Sequence, residues 1–123
     1  FGVVDLALDT QAGPVLVDFK TSARAGAPLP IAHEVQLSCY AYAFRQLFGE
    51  IERRVEIRSL IKTKTPKVET HKYPARDDIH FRRLFAVIRA YLTDLHSQRF
   101  IYRPGWTCSM CEFRDTHCRT WQG

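Results

Sequence analysis

The sequence predicts an α/β domain whose elements follow the order strand, strand, helix, strand, strand, helix, with a cysteine-rich tail. Segments with an apolar residue at every second position alternate with segments in which apolar residues recur every three or four positions. The 123 residues are 46% hydrophobic, which suffices for one compact domain. We therefore expect one domain over residues 1–123, with residues 104–121 as a tail that contains a cysteine cluster.

The first two strands are predicted on either side of a polar turn at residues 9–14, which contains glycine and proline. The period of two in a strand sends Asp18 and Lys20 to the same face of the second strand. If the charged faces of the two strands coincide, Asp5 approaches Asp18. Two carboxylates that close repel each other unless a cation or a proton lies between them, and a hard divalent ion such as Mg²⁺ fits.

This arrangement suits hydrolysis of a phosphodiester. Magnesium takes one or two carboxylates, here Asp5 and Asp18, and the backbone carbonyl of Phe19 can add a further ligand. Lys20 is placed to orient or deprotonate a water molecule and to stabilise the charge that grows on the phosphate. The alternative interpretation is that both aspartates face solvent and that Lys20 is their surface partner.

The third element is a helix predicted at residues 33–48. Gln36 and Tyr40 lie one turn apart on one face of this helix, so that their side chains are neighbours. An amide and a phenol at this spacing can hydrogen-bond a phosphate or a base edge beside a metal site. The apolar spacing of the helix is also compatible with a purely structural role.

Two further strands and a second helix complete the predicted domain. The strands are expected at 53–62 and 68–73, and Pro74 ends the sheet. Asp77 or Asp78 can cap the following helix. Its apolar residues have the spacing of a core-facing stripe: Phe81, Leu84, Phe85, Ile88, Tyr91, Leu92 and Leu95. We interpret this stripe as packing. The segment at 22–30 is expected to border the substrate cleft.

The tail carries the cluster Cys108, Cys111 and Cys118, spaced C-x2-C-x6-C. Without a secretory signal this spacing favours a metal centre over disulfides. Zinc and iron–sulfur clusters as a rule take four ligands, and His117 is a geometrically poor fourth candidate. A structural zinc site and free thiols remain alternatives. Cys39, inside the first helix, is expected to be a small core residue.

The net charge of +5, from 18 Lys and Arg against 13 Asp and Glu, suits a polyanionic partner. Seven of the basic residues lie on or next to the later strands, where ordinary solvent-facing positions explain them equally well: Arg53, Arg54, Arg58, Lys62, Lys64, Lys67 and Lys72. The sequence shows neither an apolar run of membrane-spanning length nor a signal peptide. We therefore expect no membrane partner and a cytoplasmic location.

Three motifs in this order resemble a known family. Gly2-x-x-Asp5, then Asp18-Phe19-Lys20-Thr21 after two apolar residues, then Gln36-x-x-x-Tyr40 is similar to the PD-(D/E)xK nucleases of the RecB-like type. The resemblance implies a restriction-endonuclease-like fold, a mixed central sheet flanked by helices. It also implies that Asp5 and Asp18 bind Mg²⁺ or Mn²⁺ and that Lys20 is catalytic. Gln36 and Tyr40 would support the active site or contact DNA.

The cysteine spacing resembles the AddB-like iron–sulfur exonuclease branch of that family. This resemblance implies a 4Fe-4S cluster on Cys108, Cys111 and Cys118, with a fourth ligand and the N-terminal part of the domain upstream of residue 1. We expect a metal-dependent deoxyribonuclease, an exonuclease or helicase-associated module in DNA repair or recombination, with a helicase or recombination subunit as partner. RNA stays open as a substrate. The alternative is a non-catalytic nucleic-acid-binding or scaffolding module with a structural zinc or iron–sulfur centre.

Overall fold

The computed structural model describes residues 2–23, 25–26, 28, 30–99 and 105–118. The elements follow the predicted order and establish the α/β class: β1 (Leu6–Leu8), β2 (Val15–Ser22), α1 (Pro30–Phe48), β3 (Arg54–Ile61), β4 (Lys67–Pro74) and α2 (Asp78–His96). Two short helical turns, Trp106–Met110 and Arg114–Cys118, come last. The chain divides into two compact units, residues 1–85 and residues 86–123.

The four strands form one mixed sheet in the order β1-β2-β3-β4. β1 and β2 are antiparallel, with Leu6 opposite Val17. β2 and β3 are parallel, with Asp18 opposite Ile57, and β3 and β4 are again antiparallel. Parallel neighbours need a long crossover connection, and α1 lies in the connection between β2 and β3.

The predicted turn between β1 and β2 is present. Gly13 has a φ of +108°, a backbone conformation that side-chain-bearing residues rarely adopt. Its N–H donates to the Thr10 carbonyl at 2.9 Å, and the Thr10 hydroxyl donates to the Gly13 carbonyl at 2.6 Å. This turn fixes the register of the hairpin, which in turn decides which side chains of β1 and β2 face each other.

The core of the first unit lies between the sheet and α1. Its buried apolar cluster consists of Leu16, Leu37, Ala41, Phe44, Val55 and Ile57. Helix α1 begins at Pro30, three residues before the predicted start; proline is well tolerated in a first turn, where its missing N–H has no helical partner. The helix ends before Gly49, whose φ of +69° and N–H bond to the Arg45 carbonyl form a left-handed cap.

A buried carboxylate joins three segments of the first unit. Glu52, 1% exposed, accepts two hydrogen bonds from the Arg45 guanidinium, both at 2.8 Å, and one from the Arg76 backbone N–H at 2.8 Å. Arg45 also donates to the Arg76 carbonyl at 2.6 Å. This network ties the end of α1 to the start of β3 and to the segment before α2. This network was not predicted from the sequence pattern.

A second buried carboxylate, Glu56, lies on β3 between two arginines. Arg54 Nε donates to it at 2.7 Å, and the Arg58 guanidinium donates at 2.9 and 3.1 Å. Burial opposes ionisation of Glu56, but the hydrogen bonds from Arg54 and Arg58 and their positive charges prevail and lower its pKa. The sequence pattern predicted that apolar and polar residues alternate along β3. The structure buries the charged Glu56 on the polar face of this strand.

Helix α2 begins as predicted, with Asp77 as its cap. The Asp77 carboxylate accepts the backbone N–H groups of Ile79 at 3.0 Å and His80 at 3.1 Å. Of the predicted core-facing stripe, Leu84 is buried and Phe81 packs against the core cluster. The remaining members are each more than one third exposed: Phe85, Ile88, Tyr91, Leu92 and Leu95. Apolar spacing identifies the apolar side of a helix but not what covers it. No helix among the described residues is long and apolar enough to cross a membrane.

Candidate active site

The hairpin of β1 and β2 brings two aspartates together. Because Leu6 is opposite Val17 in an antiparallel pair, continuing the register by one residue places Asp5 opposite Asp18. The Asp5 carboxylate accepts the backbone N–H of Phe19 at 2.8 Å. Asp5 itself is exposed, whereas Asp18 is only 1% exposed. The site thus joins a solvent-facing carboxylate to a buried one.

Lys20 lies on the same face of β2 as Asp18, as the period of two predicted. Its Nζ is 2.8 Å from Asp18 Oδ2 and donates a hydrogen bond to Gln36 Oε1 at 2.9 Å. Asp18 Oδ2 is buried and, apart from this ion pair, has no hydrogen-bond partner among the described residues. The Lys20 ammonium group is therefore held by the Asp18 carboxylate on one side and by the Gln36 amide oxygen on the other.

Gln36 and Tyr40 complete this chain of contacts from α1. Gln36 Nε2 donates to the Tyr40 hydroxyl at 2.8 Å, which is the neighbour relation that their spacing predicted. Tyr40 in turn packs against the core cluster. The amide of Gln36 is thereby fixed with its oxygen toward Lys20, and the lysine is positioned by a side chain anchored on the helix.

A family model described as the PD-(D/E)XK nuclease superfamily matches residues 1–119. The chain belongs to this superfamily. Its mixed four-stranded sheet with flanking helices is the restriction-endonuclease-like fold that the sequence motifs implied. No curated protein and no solved structure matches the chain. Members of the PD-(D/E)XK superfamily are in general metal-dependent nucleases, and nucleic acid is the substrate that this membership implies.

The residues present fit a divalent metal such as the Mg²⁺ typical of the superfamily. Asp18 Oδ2 is a buried anionic oxygen that accepts no hydrogen bond, and Asp5 adds a second carboxylate from the neighbouring strand. Oxygen donors of this kind are the ligands that Mg²⁺ prefers, and it commonly uses only one or two carboxylates. Among the described residues no three His, Cys, Asp or Glu side chains cluster as a metal site, so further ligands would be backbone or solvent oxygens.

One residue beside this site was not found from the sequence. Glu69 on β4 is opposite Ser59, which is opposite Lys20, so the three positions form one row across the sheet. Its carboxylate accepts the Gly26 N–H at 3.3 Å and pairs with Lys67 at 2.8 Å. Glu69 therefore contacts the segment between β2 and α1. Its position follows from the register of the strands, which could not be derived from the sequence.

The basic residues noted in the sequence divide into two groups. Arg54 and Arg58 are paired with Glu56, and Lys67 is paired with Glu69. The other four are exposed, and no carboxylate of the described residues lies within 4 Å of their side chains: Arg53, Lys62, Lys64 and Lys72. Four of the seven basic residues are thus open to a partner, and two of these four, Lys62 and Lys64, lie between β3 and β4.

The three tail cysteines belong to the second unit, and among the described residues the structure does not group their side chains as a metal site. Cys108 is half-buried, Cys111 and Cys118 are exposed, and all three are free thiols. Cys108 Sγ accepts the Gly105 N–H at 3.3 Å, and the Cys111 N–H donates to the Cys108 carbonyl at 3.4 Å. Cys39, in α1, is half-buried, and burial raises the pKa of its thiol. This is consistent with the packing role expected for it.

Proposed function

We propose that this protein is a Mg²⁺- or Mn²⁺-dependent deoxyribonuclease that hydrolyses phosphodiester bonds. Within that class, we propose an exonuclease or a helicase-associated nuclease module in DNA repair or recombination, with a helicase or recombination subunit as partner. One observation carries the proposal: Lys20 Nζ is held between Asp18 Oδ2 and Gln36 Oε1, beside a second aspartate, Asp5, on the neighbouring strand. Superfamily membership supports the same class.

In the proposed mechanism Asp5, Asp18 and the Phe19 carbonyl would hold the metal. When bound, a divalent ion supplies Lewis acidity toward the phosphate and makes water more acidic. An ammonium group has three N–H donors, and the contacts of Lys20 to Asp18 and Gln36 occupy at most two of them. The remaining N–H is available to orient the attacking water or to stabilise charge on the phosphate.

The first experiment tests the two residues at the centre of the site. We expect Asp18→Asn and Lys20→Met each to lower Mn²⁺-dependent degradation of linear DNA by about 100-fold or more, the range for a positioned catalytic group. Asp9→Asn and Lys72→Met are the matched controls, because both side chains are exposed and lie outside the site. These controls should cut like the wild type, and DNA binding should persist in all four variants.

Two outcomes would count against this proposal. Equal loss of cutting in the control variants would show that the effect is not specific to the site. A folded wild type that binds DNA equally well with EDTA and cuts nothing with Mn²⁺ would instead favour the non-catalytic binding module. Cutting of linear but not of covalently closed circular DNA would identify an exonuclease rather than an endonuclease. An RNA of the same sequence tests whether the protein also cuts RNA.

A second part of the proposal concerns the tail. We propose that Cys108, Cys111 and Cys118 supply three ligands of a 4Fe-4S cluster, with zinc as the alternative metal. The support is their proximity in the chain and their state as free thiols. Anaerobically purified protein should contain iron and sulfide and absorb visible light. Cys111→Ser should lose both, and the control Cys39→Ser should retain them; a colourless protein that contains zinc would decide for the alternative.

A further inference from the structure

We infer that the tip of the β3–β4 hairpin, residues 60–68, binds the DNA strand next to the phosphate that is cut. This inference rests on the proposed function, because it names how the same site would hold its substrate. Two observations support the inference. Lys62 and Lys64 face solvent, and a cleft lies between the two strand ends. Neither lysine belongs to the catalytic machinery described above.

Of the three lysines of the hairpin tip, Lys67 is paired with Glu69, whereas Lys62 and Lys64 have no such partner among the described residues. Lys62 and Lys64 are exposed, and no carboxylate of the described residues lies within 4 Å of either side chain. Arg54 and Arg58, nearer the start of β3, instead form ion pairs with the buried Glu56. Phosphates of a nucleic-acid backbone are the complementary partner for exposed lysines on neighbouring positions, because binding releases condensed counterions.

The same tip contains a cleft of about 390 Å³ lined by residues 60–63 and 66–68. Its apolar lining includes Leu60 and Val68, which face each other across the strand pair and are 38% and 59% exposed. Lys62 and Lys67 line it as well. Apolar side chains that stay exposed beside lysines suit a nucleotide, whose base and sugar pack on apolar surface while its phosphate meets the ammonium groups.

The fold places this tip at the catalytic end of the sheet. Because β2 and β3 are parallel, both point their C-terminal ends to the same edge, and Lys20 is opposite Ser59. Lys62 follows Ser59 by three residues, which is about 10 Å along an extended strand. Its backbone N–H donates to the Ser22 carbonyl at 2.8 Å. The hairpin is therefore bonded directly to the end of the catalytic strand.

The turn itself is held by a local bond. The Thr63 hydroxyl donates to the Thr65 carbonyl at 2.7 Å, which fixes the backbone on both sides of Lys64. A backbone held in this way presents its lysine at lower entropic cost when a ligand binds. The hairpin tip thus combines charge, exposed apolar surface and a fixed backbone within one short segment.

The test compares two double variants that each remove two positive charges. Lys62→Ala with Lys64→Ala removes the proposed contacts, and Arg53→Ala with Lys72→Ala is the control. Arg53 is exposed and lies at the opposite end of β3, nine residues or about 30 Å from Lys62. Affinity for a fluorescent single-stranded DNA is measured by anisotropy at several salt concentrations, in EDTA so that no cutting occurs.

We expect the hairpin variant to reduce the slope of log K against log salt by about 1.4, since each phosphate contact to a single strand contributes about 0.7. Relative to a 1 M salt reference, this corresponds to about 25-fold weaker binding at 0.1 M. In Mn²⁺ the KM for linear DNA should rise while kcat stays within about twofold, the signature of lost uniform binding. The control variant should keep the wild-type slope.

The outcomes separate this inference from the proposed function. If both double variants change the slope equally while the wild type cuts DNA, the hairpin is no special contact and the inference is wrong, although the nuclease proposal stands. A fall in kcat at unchanged KM would also overturn it. If the folded wild type neither binds nor cuts DNA, the proposed function fails and this inference fails with it.

Discussion

The role proposed for Gln36 gives the sharpest prediction, because this residue contacts Lys20, the proposed catalytic lysine, and is not one of the proposed metal ligands. Replacing it by leucine keeps its approximate size and its preference for a helix. The change removes the acceptor 2.9 Å from Lys20 Nζ and the donor to Tyr40. The ammonium would then be held by Asp18 alone and would move toward that carboxylate, away from the position that the reaction needs.

The magnitude follows from the kind of bond that is lost. A hydrogen bond to a charged group contributes about 1.5–3 kcal/mol, so Gln36→Leu should lower kcat by about 13- to 160-fold. The Gln36–Tyr40 bond is between neutral groups and contributes about 0.5–1.5 kcal/mol. Tyr40→Phe keeps the packed ring, and its rate should therefore fall only by about 2- to 13-fold.

The assay is the initial rate of Mn²⁺-dependent degradation of linear DNA at saturating substrate. Gln46→Leu is the matched control on the same helix, because Gln46 is exposed, and Tyr91→Phe serves the same purpose for tyrosine. The double variant of Gln36 and Tyr40 should be no slower than Gln36→Leu alone, since both changes act through one amide. A Gln36→Leu protein that cuts at the wild-type rate, while Lys20→Met is inactive, would refute the positioning role.

Three further predictions concern stability. Glu52→Ala should lower the free energy of unfolding by about 3 kcal/mol or more, measured by urea titration with circular dichroism, because it leaves the Arg45 guanidinium without its carboxylate. The folded-state pKa of Glu56 is lowered from the ordinary value of 4.5. Ionised Glu56 therefore adds to the free energy of unfolding above that pH, and this addition is lost as the pH falls through the lower folded-state pKa. Glu56→Gln should remove this part of the pH dependence of the free energy of unfolding. Asp77→Ala, which removes the cap of α2, should cost about 1 kcal/mol in the same titration, whereas Asp78→Ala should cost less.

Local patterns predicted much of the geometry around β2, the strand that carries Asp18 and Lys20. The period of two placed Asp18 and Lys20 on one face, the polar turn predicted the hairpin that brings Asp5 opposite Asp18, and helical spacing made Gln36 and Tyr40 neighbours. Each of these relations spans only a few residues or one tight turn. Such relations are fixed by strand and helix geometry before any distant part of the chain is considered.

The buried charges could not be predicted in this way. Glu52 meets Arg45 and Arg76 from other elements, and no spacing rule relates residues that the fold alone brings together. Glu56 is only two positions from each of its arginines, yet a polar position in an alternating strand is expected to face solvent. For the same reason the sequence could not show that Arg54 and Arg58, two of the basic residues considered for a polyanionic partner, have an internal partner.

The unequal support of the two aspartates has a consequence for how activity is lost. Asp18 lies in a strand paired on both sides, whereas Asp5 precedes a three-residue strand at the sheet edge and is fixed by its bond to the Phe19 amide. Edge segments open locally at lower free energy than the core. Cutting should therefore disappear at a lower urea concentration than the helical signal, and hydrogen exchange at the Phe19 amide reports directly whether the second carboxylate is in place.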